Sequence, residues 1–153
     1  MQQQNSQVPL IIIRVVAAAL IAIHGWHRLL NNDVADLGDF IADYLPMGHA
    51  LGWVVTILEA FGAPIFAAGG LIASGRLVFP LGLINMFVYT MAVLLYHLPH
   101  GWFTSGTNKD GCEYGVLLVA AFASVTWAHM PEGLKRIFRR KSHDACGLAR
   151  HEL

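Results

Sequence analysis

Four runs of apolar and small residues, Val8 to Leu30, Met47 to Gly75, Leu77 to Leu98 and Cys112 to Met130, are separated by short polar stretches. Each run is close to the roughly 20 residues that carry a helix across the hydrocarbon core of a bilayer. The pattern predicts an all-α chain, an integral membrane four-helix bundle with helices near Val8–Leu30, Gly48–Ser74, Leu77–Leu98 and Cys112–Met130.

Within the runs, small and polar residues recur at helical spacing. Gly52, Thr56, Glu59, Ala63 and Gly70 share one stripe of the second helix, and Arg14, Ala18, Gly25 and Arg28 share one of the first, with His24 at its edge. Asn85, Tyr89, Ala92 and Tyr96 do the same on the third, and Glu113, Ala120, Ser124 and Trp127 on the fourth. Small residues let helix backbones approach where no hydrophobic force drives association, so these faces are expected to meet in the bundle interior. Pro64, which lacks a backbone donor, is expected to loosen or kink the second helix one turn beyond Glu59.

Glu59 is the only formal charge in its run. A charge at membrane depth costs about 2.5 to 3.5 kcal/mol even on lenient insertion scales, so a partner, a proton or water must compensate it. With a rise of about 1.5 Å per residue, Glu59 and His24 fall at one depth, roughly 20 Å from the inner ends of their helices. Arg14 falls at about 8 Å, Asn85 at about 12 Å, and His97 and Glu113 near 30 Å. His24 is therefore the expected partner by depth, and Arg14 the expected partner by reach, since its side chain can snorkel about a turn. One reading makes Glu59 a register lock paired with either residue. The other makes it a proton carrier or a hydrogen-bond partner for a polar ligand head.

Composition agrees with a membrane chain: 56% of residues are hydrophobic and 13% charged, and the mean hydropathy is +0.52. One domain, residues 1–134, accounts for the apolar chain, and residues 135–153 form a basic tail. No Lys or Arg precedes the first apolar stretch, which argues against a cleaved signal peptide. Charge is unevenly spread. Asp33, Asp36, Asp39 and Asp43 lie between the first two helices, whereas Lys135, Arg136, Arg139, Arg140 and Lys141 follow the fourth. The positive-inside rule then places both termini, the turn at Arg76 and the tail in the cytoplasm, with the acidic loop and the loop from Pro99 to Gly111 outside. Cys112 and Cys146 fall on opposite sides and cannot pair within one chain.

His97, His100 and Glu113 form an outer cluster, joined by Cys112 and His27, that offers metal-ligand types. Helix-end histidines more often serve as interfacial residues, so neither a metal nor a haem is favoured. Haem between His24 and His97 is further disfavoured by depths about two turns apart. Trp26, Trp53, Trp102 and Trp127 lie near run ends, as an interfacial aromatic belt does. The basic tail suits anionic lipid. Nothing points to nucleic acid.

The chain resembles the DoxX family of small four-helix membrane proteins. The likeness rests on Arg14 opening the first helix, His24-Gly25-Trp26-His27-Arg28 closing it, and Glu59 with Gly62 in the second. It extends to His97-Leu98-Pro99-His100-Gly101-Trp102-Phe103 and Gly111-Cys112-Glu113-Tyr114. The end of the fourth helix, Trp127-Ala128-His129-Met130-Pro131, departs from the family's Gly-rich, Asp-containing close. The resemblance implies a multi-pass protein of the bacterial inner membrane, associated with quinone-linked redox complexes. On that expectation Glu59 and His24 are the candidate catalytic pair. Arg14, His24, Glu59, Asn85 and Tyr89 would surround a quinone, with lipid, redox subunits and other copies of the chain as partners. Two rival readings remain open: a structural or assembly subunit without chemistry, and a small transporter or metal-handling protein using His97, His100 and Glu113.

Overall fold

A computed structural model describes residues 7–72, 76–103 and 111–137, with side chains from residue 8 and not for 70–72. The described residues are helical, with no strand among them. The helices are α1 (Gln7–Asn31), α2 (Val34–Ala42), α3 (Gly48–Ile57), α4 (Ala63–Ile72), α5 (Val78–Ala92) and α6 (Glu113–Ala128). A π-helical turn, Leu58–Gly62, joins α3 to α4 without a break, and a second, Val93–His97, extends α5 into a 3-10 turn at Leu98–His100. Three stretches are long and apolar enough to cross a membrane, Val8–Asn31, Gly48–Gly69 and Val78–His100, and Glu113–Ala128 is a shorter apolar helix. The expected turn residues Ser74 and Gly75, Cys146 and the tail beyond Ile137 lie outside the described residues.

The expected acidic loop is instead largely a helix. Asn32 adopts a left-handed φ of 61°, and the Asp33 amide returns to the Arg28 carbonyl at 3.0 Å, the six-residue closure that ends a helix and frees the chain to turn. Helix α2 then folds back on α3 through glycine. A Cβ on Gly38 would sit 2.8 Å from His49 Cα, and one on Gly52 would sit 3.0 Å from Gly38 Cα and 3.2 Å from the Val34 carbonyl oxygen. Gly48 abuts the Ala42 and Gly38 backbones in the same way. Side chains at these positions would hold the two helices apart. The aspartates were read as loop because charge masked the period Val34, Leu37, Gly38, Ile41, a face suited to packing.

Proline distorts the chain before it, not after it. Pro64 has no N–H for the Ala60 carbonyl and its ring crowds that oxygen. The turn before it widens so that the Ala63 amide reaches the Leu58 carbonyl five residues back. Pro99 repeats the arrangement: the Leu98 amide bonds the Val93 carbonyl. The loosening expected one turn beyond Glu59 falls instead on a π turn that contains Glu59.

The core joins Ala17, Ala18 and Ile21 of α1, Ala63 and Phe66 of α4, Val78 of α5, and Phe122 and Val125 of α6. Large apolar side chains also cover the outside, among them Ile12, Ile23, Val54, Phe87 and Leu117. An outside as apolar as this has no counterpart on a typical water-soluble monomer.

Candidate functional site: a buried arginine, glutamate and tyrosine

Glu59 sits in the widened turn with only 4% of its side chain exposed. Its compensating charge is Arg28, whose Nη1 donates to Glu59 Oε2. The other carboxylate oxygen, Oε1, accepts a hydrogen bond from the Tyr89 hydroxyl at 3.1 Å. Three helical segments thus meet at one carboxylate, which neutralises the charge and leaves each oxygen with a donor.

Gly25 makes the junction possible. Its Cβ position lies 2.8 Å from Glu59 Cβ and 2.9 Å from Ala60 Cα, and closer still to the Ala60 amide nitrogen. Arg28 follows Gly25 by three residues and so projects from the same face. Tyr89 is held by ring packing: it stacks on Phe122 at 5.8 Å, and Phe122 packs against Phe66 at 5.4 Å. On the other flank Trp26 meets Phe61 edge-on at 5.2 Å. The Arg28 side chain retains 23% exposure, so the node is closed around Glu59 and partly open at the guanidinium. Thr56, one turn before Glu59, is fully buried, and its hydroxyl has no partner among the described residues.

The other expected ligands of Glu59 are placed differently. His24 is exposed, and its Nδ1 donates to the Leu20 carbonyl at 2.9 Å. Its depth was read correctly, but one residue on a helix is about 100° of rotation, and Gly25 occupies the facing direction. Arg14 is buried, yet it makes no ion pair with Glu59 and its Nε has no partner among the described residues. The expected pairings with His24 and Arg14 are both corrected to Arg28. Asn85 is buried one turn from Tyr89; its Nδ2 donates to the Leu81 carbonyl at 2.8 Å, while Oδ1 has no partner among the described residues.

The outer cluster is held by aromatic and backbone contacts. Tyr96 packs against His97 at 5.0 Å, His100 at 5.2 Å and Phe40 of α2 at 5.2 Å, and His100 Nδ1 donates to the Tyr96 carbonyl at 2.7 Å. The Glu113 amide bonds the Trp102 carbonyl at 3.2 Å. Among the described residues no group of three or more His, Cys, Asp or Glu side chains is arranged to hold a metal ion, so His97, His100 and Glu113 do not converge as a metal site. Cys112 is buried. Two exposed pairs decorate the α2 end, His27 with Asp33 at 3.8 Å and His49 with Asp39 at 3.3 Å.

No protein-family model, curated protein or solved structure matches this chain.

Proposed function

We propose that this chain is a DoxX-like, multi-pass protein of the bacterial inner membrane, a four-helix bundle with both termini inside. Its buried node binds the polar head of a quinone or a similar lipid for a partner redox complex. The three long apolar helices and their apolar outer surface support the membrane reading. The observation that carries the ligand reading is the node itself: a guanidinium, a carboxylate and a phenol gathered in an apolar interior, open on the Arg28 side. A few polar groups in apolar walls are what a site for an amphipathic ligand requires.

In this site the Arg28 N–H groups not spent on Glu59 donate to a carbonyl oxygen of the ligand head, while Tyr89, whose one O–H is given to Glu59, holds the carboxylate that orients the guanidinium. His24, exposed and bonded to the Leu20 carbonyl, makes no direct bond to Glu59. The chain offers no electron carrier of its own, so any redox step belongs to the partner. A second reading has a specific observation in its favour: both Glu59 oxygens are already engaged, as befits a brace that only locks three helices together.

Quinone retained on purification, together with the rise in melting temperature on adding quinone, separates the two. The ligand reading expects both signals in the wild type, loss in Tyr89→Phe and Arg28→Gln, and retention in His24→Ala. A wild type that retains no quinone and is not stabilised by it leaves the brace.

A further inference from the structure

Arg14 has no use in the node. It lies on the interior stripe of α1, 6% exposed, and Arg28, fourteen residues further on, is about 21 Å away along the helix. Glu59, with one oxygen on Arg28 and the other on Tyr89, has nothing to spare. Among the described residues the lysine and arginine ion pairs are Arg28–Glu59 and Lys135–Glu132, and Arg14 enters neither. Its buried Nε has no acceptor, charged or neutral, among the described residues. A cationic side chain that is 6% exposed, with no ion-pair partner among the described residues, leaves room for an anionic ligand.

The surroundings say from which direction an anion reaches it. Ala17, Ala18 and Ile21, the next turns of α1, belong to the dry core and close the way toward the node. Helical side chains lie back over the turn that precedes them, which carries the Arg14 guanidinium toward the start of α1. That start, Gln7, is seven residues off, about 10 Å, within the reach of a long side chain that snorkels toward the headgroups. Around it Val8, Ile11, Ile12, Val15 and Val16 present exposed apolar side chains, a surface suited to acyl chains.

We infer that Arg14 anchors a second ligand site, at the α1 start of the bundle, which takes the phosphate of an anionic phospholipid while the lipid's chains cover the neighbouring apolar face. The planar guanidinium suits phosphate because its fork of N–H donors matches two oxygens at once. This site rests on the membrane reading of the chain and is independent of quinone.

The test uses the full-length protein in mixed micelles. Melting temperature is followed as phosphatidylglycerol, phosphatidylcholine or inorganic phosphate is added, for the wild type, Arg14→Gln, Arg14→Lys and Tyr89→Phe. Phosphatidylglycerol is expected to raise the wild-type midpoint by on the order of 3 °C more than phosphatidylcholine. Arg14→Gln should lose that increment, Arg14→Lys keep part of it, and Tyr89→Phe keep all of it even where its response to quinone is gone. Equal increments from the two lipids in the wild type overturn the inference without need of any variant, as does an undiminished increment in Arg14→Gln. Inorganic phosphate matching phosphatidylglycerol overturns the lipid assignment in favour of a soluble anion. Loss of the Tyr89→Phe quinone response alone bears on the node and leaves the Arg14 site standing.

Discussion

Removing the charge of Glu59 while keeping its shape isolates what the ion pair contributes. Glu59→Gln leaves an amide oxygen for the Tyr89 hydroxyl and strands Arg28. Breaking a fully buried pair costs about 3–5 kcal/mol. Arg28 retains 23% side-chain exposure, which lets water recover part of its solvation, so the expected loss is about 2–3 kcal/mol. Arg28→Met leaves the nearly inaccessible Glu59 without its cation and should cost at least as much, limited by uptake of a proton. The double variant removes both charges together, and its loss should fall short of the sum by about 1.5–3 kcal/mol. At roughly 2–4 °C per kcal/mol for a chain of this size, thermal unfolding in detergent resolves the difference. The same cycle run with Arg14→Gln or His24→Ala in place of Arg28→Met should be additive. Additivity in the Arg28 cycle, to within about 0.5 kcal/mol, would refute the pairing.

Gly25→Val should destabilise by at least about 2 kcal/mol and weaken the Arg28–Glu59 contact, because its side chain meets the backbone of Ala60, which cannot rotate aside. Unfolding in detergent measures it, and a neutral outcome would mean that α1 and the π turn do not touch. His24→Ala, on an exposed face, should change stability by no more than about 0.5 kcal/mol by the same assay. Orientation is best tested at Asp36→Cys in a Cys112→Ala, Cys146→Ala background, which leaves position 36 as the one thiol of the chain. An impermeant maleimide should label position 36 from outside intact cells, and labelling only after lysis would reverse the proposed topology.

The long helices were readable because run length and apolar content report the same physics that packs them. Glu59 stood out because a lone charge in an apolar run has few structural excuses. What stayed hidden was rotation and reach. Depth along a helix axis is linear in residue number, so His24 was placed at the right level. Which of His24, Gly25 and Arg28 faces the π turn depends on how closely two backbones approach, and that is set by Gly25 against Ala60. Arg28 was read on the interior stripe and at the close of the first helix but not as the partner of Glu59, and the closing of α1 on the π turn is what brings the two together. The stripe of Gly25 and Arg28, three residues apart, was the available signal. Helix α2 escaped notice for another reason: its period is nine residues long and carries Asp36 and Asp39, too short and too charged to stand apart from a loop.

The two π turns, each closing one residue before a proline, lie toward the end of the bundle that carries α2, where Phe40 meets Tyr96. A π turn interrupts the regular ladder of an α-helix and is a usual place for a helix to bend. Stiffness is therefore graded along the molecule: regular α-helix around Arg14, Phe66 and Val125, and compliant backbone around Glu59 and Tyr96. Amide protons at Leu58–Gly62 and Val93–His97 should exchange together and ahead of those in the core.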